Sequence, residues 1–209
     1  MAAEKEFKSV RTFSPESTAN WPSLFEPRTP KNNPTAKPQY EIEQVFAEDA
    51  DLTELKQAAA KAAKMEWPNR KLSDGIQFPF KSGDAMIEHE NTVAGQRGKE
   101  PRDLSLYAGK TILRLKNSKA PRVLDKKLND ILDREAIYGG CKVRCEISFR
   151  AYQGNGSNIP DCVTAYVESV VKVGDGERLG GSRDMKAAWA GVLDTKSEED
   201  VDLNEKIPF

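Results

Sequence analysis

Tyr138-Gly139-Gly140-Cys141-Lys142-Val143-Arg144-Cys145-Glu146-Ile147-Ser148-Phe149-Arg150-Ala151-Tyr152 is the stretch from which the fold is read. Cys141, Val143, Cys145, Ile147, Phe149 and Ala151 are apolar, and Lys142, Arg144, Glu146, Ser148, Arg150 and Tyr152 alternate with them. A period of two over such a length predicts a strand with one face in a core and one in water. Gln153-Gly154-Asn155-Gly156 supplies turn residues, and Cys162 to Val173 returns as a second β-rich run, so the pair reads as a long hairpin. Its wet face joins Lys142, Arg144 and Arg150 to Tyr152. Cations on a strand are most often plain solvation, but with an aromatic they also suit a nucleic-acid strand.

The chain of 209 residues is 31% charged and 38% hydrophobic, enough for one sizeable core and at most two domains. No apolar run approaches the ~20 residues of a membrane span. The charged start, Met1 to Glu6, lacks the apolar region of a signal peptide. Three cysteines cannot pair evenly and point to a reducing cytosol. The net charge of −1 hides an asymmetry, since the six acids and two lysines from Asp194 to Phe209 sum to −4 and leave +3 on residues 1–193. We expect two parts: a body over 1–193 and an acidic, disordered tail over 194–209.

Phe7 to Phe13 reads as a short strand, and Ser14 to Pro38 carries six prolines. Within it Trp21-Pro22-Ser23-Leu24-Phe25-Glu26-Pro27 is too aromatic for a solvated linker and is expected to dock on the body as an arm. Tyr40 to Phe46 alternates as a strand. Asp49 to Met65 is the clearest helix, with Leu52, Leu55, Ala59 and Ala62 on one face and an Asp51/Glu54 capping box at its start. Residues 68–104 read as loops, with turn signals at Leu72–Gly75, Lys81–Asp84 and Gln96–Lys99. Leu106 to Lys116 reads as a strand with a second cationic face, Lys110, Arg114 and Lys116. Pro121 to Asp125 is a short extended piece, Lys126 to Asp133 a brief helix, and Asp184 to Gly191 a helical turn around Trp189. Short strands in mixed order with one central helix make a mainly β chain: an OB-fold, a five-stranded barrel with insertions.

Most constellations reduce to structure. Cys141 and Cys145 lie four residues apart on a strand, about 13 Å at ~3.3 Å per residue, too far for two ligands of one zinc ion. They read as core, and no metal or cofactor is expected. Gly174-Asp175-Gly176-Glu177-Arg178-Leu179-Gly180-Gly181 lacks the ending of a phosphate-binding loop and reads as a hairpin turn. His89 is the single histidine, in a polar segment without a nucleophile motif. Asp74, Asp84, Glu88, Glu90 and Asp103 leave open a metal-dependent nuclease, although solvated loop charges are the ordinary reading.

The two cationic strand faces form a stripe if their strands adjoin, with Lys119 and Arg122 just beyond. Trp21, Tyr40, Tyr107 and Tyr152 are then candidate stacking platforms. A basic groove with interleaved aromatics is the footprint of single-strand binding. The acidic tail, closed by Ile207-Pro208-Phe209, reads as a mobile polyanion competing for that groove, with an apolar tip that docks in a partner.

Seven segments occur in the same order in tailed-phage single-stranded DNA-binding proteins, and the chain resembles that family over residues 8–190. They are Trp21–Pro30, Lys37–Tyr40, Leu72–Gly75, Tyr107–Gly109, Pro121–Asp125, Tyr138–Val143 and Val173–Gly180. The resemblance implies an OB-fold that coats single-stranded DNA during phage replication and recombination, without catalysis. The last three residues are similar to the tail tip of bacterial single-stranded DNA-binding proteins, with Lys206 where that pattern has Asp. The residues expected to touch DNA rest on strand alternation, not on a family motif. Against this reading stand the nuclease and an OB-fold that binds only other proteins. Oligomeric state, monomer or dimer, is left open.

Overall fold

The alternation from Cys141 forms the central ladder of the molecule. In the computed structural model, which describes residues 8–30, 33–156 and 159–179, β7 (Lys142–Tyr152) runs antiparallel to β8 (Cys162–Gly174). Glu146 faces Ser169 and Ile147 faces Val167, so Glu168 is an extra residue in β8. This bulge moves the buried positions of β8 from Val163, Ala165 and Val167 to Val170.

The proline-rich segment is not an arm. It is β2 (Ser17–Arg28), an internal strand that pairs with β3 (Gln39–Phe46) along one edge and with the start of β7 along the other. Pro22 and Pro27 fall where the β2–β3 register is broken, between Asn20 and Ser23 and between Ser23 and Arg28. There a missing N–H costs no ladder bond. β3 pairs in turn with β5 (Thr111–Asn117). Three short strands edge these five: β1 (Val10–Phe13) on β7, β4 (Phe80–Ser82) on β5, and β6 (Arg122–Leu124) parallel to β8.

The order is β4-β5-β3-β2-β7-β8-β6, an OB-like β fold with eight strands where five were expected. The sheet is not closed by a ladder. β5 meets β8 through a side chain, Asn117 Nδ2 donating to the Val167 carbonyl at 2.8 Å.

The expected helix is α1 (Thr53–Glu66). It buries Leu55, Ala58, Ala59, Ala62 and Ala63 in the same core as Ile42, Phe46, Leu113, Leu115, Ile147 and Phe149. Its capping box does not form. Leu52 holds the cap position without a side-chain acceptor, and Asp51 Oδ1 takes the Thr53 N–H at 2.9 Å. Trp67 donates back to Ala63 at 2.8 Å before Pro68 ends the helix.

A second helix, α2 (Gly83–Arg97), replaces much of the expected loop. Gly83 and Ala94 are its only fully buried residues, so it carries no apolar stripe for the sequence to show. The two turn signals are its start and stop: Ser82 Oγ accepts from Ala85 N, and Gly98 closes it at φ 62°.

Two smaller expectations also change. Lys126 to Asp133 is not a helix. The Asp125 carboxylate closes the loop by accepting from Lys127 N at 2.7 Å and Asn129 N at 2.9 Å, and a 3-10 turn follows at Arg134–Ala136. The glycine-rich segment after β8 is not a hairpin turn, because it runs back over Tyr138–Gly140 with Leu179 N donating to Gly139 O at 2.7 Å. Gly140 is at φ 113°, and a Cβ there would lie 1.8 Å from the Glu177 carbonyl oxygen. A Cβ on Gly176 would lie 2.2 Å from the Gly140 oxygen.

Cys141 and Cys145 are core, at 0% and 1% exposure. Buried Gln44 ties the strands at the other end, its Nε2 donating to Ser14 Oγ and Ser17 Oγ at 2.8 Å each. Among the described residues no helix is long and apolar enough to cross a membrane. The helical turn expected at 184–191 and the tail with Ile207, Pro208 and Phe209 lie outside the described residues.

Candidate nucleic-acid interface

The outward face of β2, β3 and β5 follows from their registers. Ala19, Ile42, Leu113 and Leu115 point into the core, so the alternate positions point out. Three rows cross that face: Lys116 beside Glu41 and Ser23, Arg114 beside Glu43 and Asn20, and Ile112 beside Val45 and Thr18. Thr18 also faces Lys142 of β7, whose Nζ donates to Thr18 Oγ1 at 2.9 Å. One end of the face is closed by a small apolar cluster, Val45, Tyr107 and Ile112 under Met86, Leu104 and Leu106.

Trp21 stands on this face at 63% exposure and φ 46°. A left-handed tryptophan is an outlier that its surroundings must hold. Its N–H donates to Asn20 Oδ1 at 3.1 Å. Asn20 Nδ2 donates to Glu43 Oε1 at 3.0 Å and to the Tyr107 hydroxyl at 2.8 Å. The Tyr107 hydroxyl donates to Glu43 Oε1 at 2.7 Å. Burial, then the Glu43 carboxylate, push the Tyr107 phenol up to about 12, with the Trp21 and Asn20 side chains pulling the other way. An exposed aromatic is thus fixed from beneath by a buried polar network.

The two cationic stripes do not fuse, because β2 and β3 lie between β5 and β7. Glu41 and Glu43 also interleave with the β5 cations. Arg114 is exposed but paired with Glu41 at 3.2 Å, and Lys116 is half-buried opposite the same residue. Lys110 is half-buried before β5, its carbonyl taking the Gly83 N–H. Lys119 is exposed in the turn after β5. Arg122 is exposed and paired with Asp130 at 3.0 Å.

Arg144 is exposed on β7 with no acidic partner among the described residues. Arg150 is half-buried, its guanidinium 4.9 Å from the Tyr166 ring centre. Tyr152 shares a 2.7 Å hydroxyl–hydroxyl hydrogen bond with Tyr166. Tyr40 is half-buried at the start of β3 on the side of Ile42. Tyr107, at 6% exposure, offers no open ring and acts as a support instead.

Sequence reasoning missed Asn20 and Glu43, whose pairing depends on β2–β3 register, and a cluster around Tyr138. Its ring lies 4.3 Å from the Arg178 guanidinium and 5.4 Å from Lys172 Nζ, and its hydroxyl donates to Asp175 Oδ1 at 3.0 Å. Tyr138 and Arg178 stand in two of the family-like motifs, which is the signal that could have found them. Three of the acidic residues of 68–104 have other duties. Glu90 accepts from Arg102 Nε at 2.9 Å, which holds its carboxyl down at about 2. Asp84 takes the Gly109 N–H and Asp103 the Ser105 N–H, both at 2.9 Å. Among the described residues no three Asp, Glu, His or Cys side chains gather as a metal site.

The model of the family described as Enterobacter phage Enc34, ssDNA-binding protein, matches residues 16–202. The chain belongs to this family. Solved structures of the Enc34 protein share its fold. The C-terminally truncated form is 18% identical with TM-score 0.61, covering 81% of this chain and 88% of that one. The form in complex with ssDNA is 19% identical with TM-score 0.60, covering 81% and 89%. The gp2.5 protein of bacteriophage T7, a single-stranded DNA-binding protein, is 18% identical with TM-score 0.51, covering 97% and 100%. No curated protein matches the chain at a significant level.

Proposed function

We propose that this chain binds and protects single-stranded DNA, without catalysis, during phage DNA replication and recombination inside a bacterial host cell. The observation that carries this reading is Trp21, a 63% exposed aromatic held by Asn20 at the outward face of β2, β3 and β5. The rows of that face also carry Arg114, Lys116 and, opposite Thr18, Lys142. On that face a base stacks on the indole while the cations neutralise phosphates, each stacked base being worth ~1–3 kcal/mol. Family membership supports it, as does the OB-like fold, whose corresponding strands form a ligand face. Arg144, with no acidic partner among the described residues, extends the positive field along β7.

Titration of a labelled oligo-dT, with and without magnesium, tests the reading. Saturable binding with intact DNA is the expected result. Degradation in magnesium makes the chain a nuclease, and no binding makes it a protein-interaction module. Within the reading, residues 194–209 act as a separate acidic tail competing for the same face, and Ile207, Pro208 and Phe209 dock in a replication partner. Cutting after Val192 then tightens DNA binding most at low salt, while Phe209→Ala removes partner binding and leaves DNA affinity unchanged. Equal affinity of the cut and full chains at low salt overturns the competition.

A further inference from the structure

Two side chains in this molecule share an unusual pair of properties. Among the described residues, Trp21 and Leu128 are the non-glycine residues with positive φ, at 46° and 65°. Both are also large apolar side chains in the open, at 63% and 66% exposure. Leu128 sits in the loop that joins Leu124 to Asp130, which pair as an antiparallel bridge. A left-handed position in such a turn ordinarily takes Gly, Asn or Asp. Leucine there pays for a strained backbone and regains nothing by burial.

The strain is firmly held. Leu128 N donates to the Asp125 carbonyl at 3.0 Å, and Asp125 N donates to the Asn129 carbonyl at 2.9 Å. The Asp125 carboxylate takes the Lys127 and Asn129 N–H groups and, at 3.1 Å, the Asn129 side-chain amide. The result is a rigid tip with Lys126 and Lys127 beside the exposed leucine. Strain that persists without a packing reason marks a functional contact.

We propose that Leu128 is a second apolar contact for single-stranded nucleic acid, packing on a base or sugar while Lys126 and Lys127 engage the flanking phosphates. This rests on the DNA-binding reading above. The charge favours a polyanion, and a chain of neighbouring residues links the tip to Trp21. A cavity of about 480 Å3 is lined by Lys126, Lys127 and Lys172 together with Asp125 and Asp175, the latter paired with Lys172 at 2.6 Å. Lys172 and Arg178 flank the Tyr138 ring. The adjoining Gly139 abuts Asn20, where a Cβ would lie 4.0 Å from Oδ1, and Asn20 is the residue that holds Trp21.

The test is Leu128→Gly, a change the left-handed backbone accepts without strain. The variant is expected to melt no lower than the parent. Its affinity for long oligo-dT falls about fivefold, as partial burial of a leucine predicts, whereas an oligomer too short to span both contacts binds as before. Trp21→Ala weakens both. Replacing Lys126 and Lys127 by Ala lowers the salt slope by about 1.4. Unchanged affinity of Leu128→Gly for long oligomers, with Trp21→Ala weakened, overturns the inference but spares the DNA-binding reading. Parent protein that binds no oligo-dT sinks that reading itself. If Leu128→Gly keeps its DNA affinity but alters self-association in sedimentation, the tip is a protein contact and the proposal is wrong.

Discussion

Tyr107→Phe isolates the network under Trp21 without leaving a cavity, since only the hydroxyl is lost. That hydroxyl donates to Glu43 at 2.7 Å and accepts from Asn20 at 2.8 Å, and Glu43 is only 9% exposed. Hydrogen bonds to charged groups are worth about 1.5–3 kcal/mol, so the variant should lose about 2 kcal/mol at neutral pH. For a chain of this size that lowers the melting temperature by about 4–8 °C.

The same group makes a prediction in alkali. The folded state holds the Tyr107 proton up to about 12, against about 10 for an unfolded tyrosine. Its contribution is therefore intact below about pH 10 and lost as pH rises through about 12, an effect of about 2–3 kcal/mol. The phenylalanine variant lacks it, so the gap between parent and variant should narrow between neutral pH and about pH 11. Urea unfolding followed by tryptophan fluorescence at stepped pH measures both. A variant as stable as its parent at neutral pH, with no change of gap in alkali, would refute the network.

Three other outcomes are expected. Arg144→Ala should reduce the salt slope of oligo-dT binding by roughly 0.7, and Arg114→Ala by less, because Glu41 already neutralises it; equal slopes for parent and double variant would misplace the interface. Cys162, half-buried, should react first with a thiol reagent. Cys141 and Cys145 should lag, since burial pushes both thiols up and the thiolate is the reactive form, while zinc at one per chain by elemental analysis would contradict their place in the core. Gly140→Ala should cost about 3 kcal/mol or more, because its Cβ would lie 1.8 Å from a carbonyl oxygen; an unchanged urea midpoint would show that the segment over it is not fixed.

The hairpin of β7 and β8 was legible because its period of two is long and one face is apolar throughout. β3 was legible for the same reason at shorter range, and α1 because its apolar residues fall on one helical face. β2 was not, because Pro22 and Pro27 argue against a central strand and only the broken β2–β3 register admits them. α2 carries no apolar stripe, so Ser82 and Gly98 read as turns although they are its ends. At the interface, the outward cations were visible in alternation, and Trp21 in a segment too aromatic for a solvated linker. Their grouping was not, because strand order decides which faces meet, and β2 and β3 lie between the two stripes. Tyr107 looked like a stacking surface because Leu106 to Lys116 read as one strand, whereas Tyr107 lies in a 3-10 turn ahead of β5 and is buried there.

The reciprocal fit of Gly140 and Gly176 makes two distant motifs a single structural unit. Each glycine has a main-chain atom of the other's segment where a side chain would go, so a side chain at either position pushes the two segments apart. The same fit sets a limit for dissecting the chain. Leu179 is bonded to Gly139, and residues 175–178 cover Tyr138 and Gly140. A deletion that begins at residue 180 spares this strap. One that begins at residue 175 strips the sheet of its cover beside Asn20, and any change in DNA binding it produced would report on the body as well as on the tail.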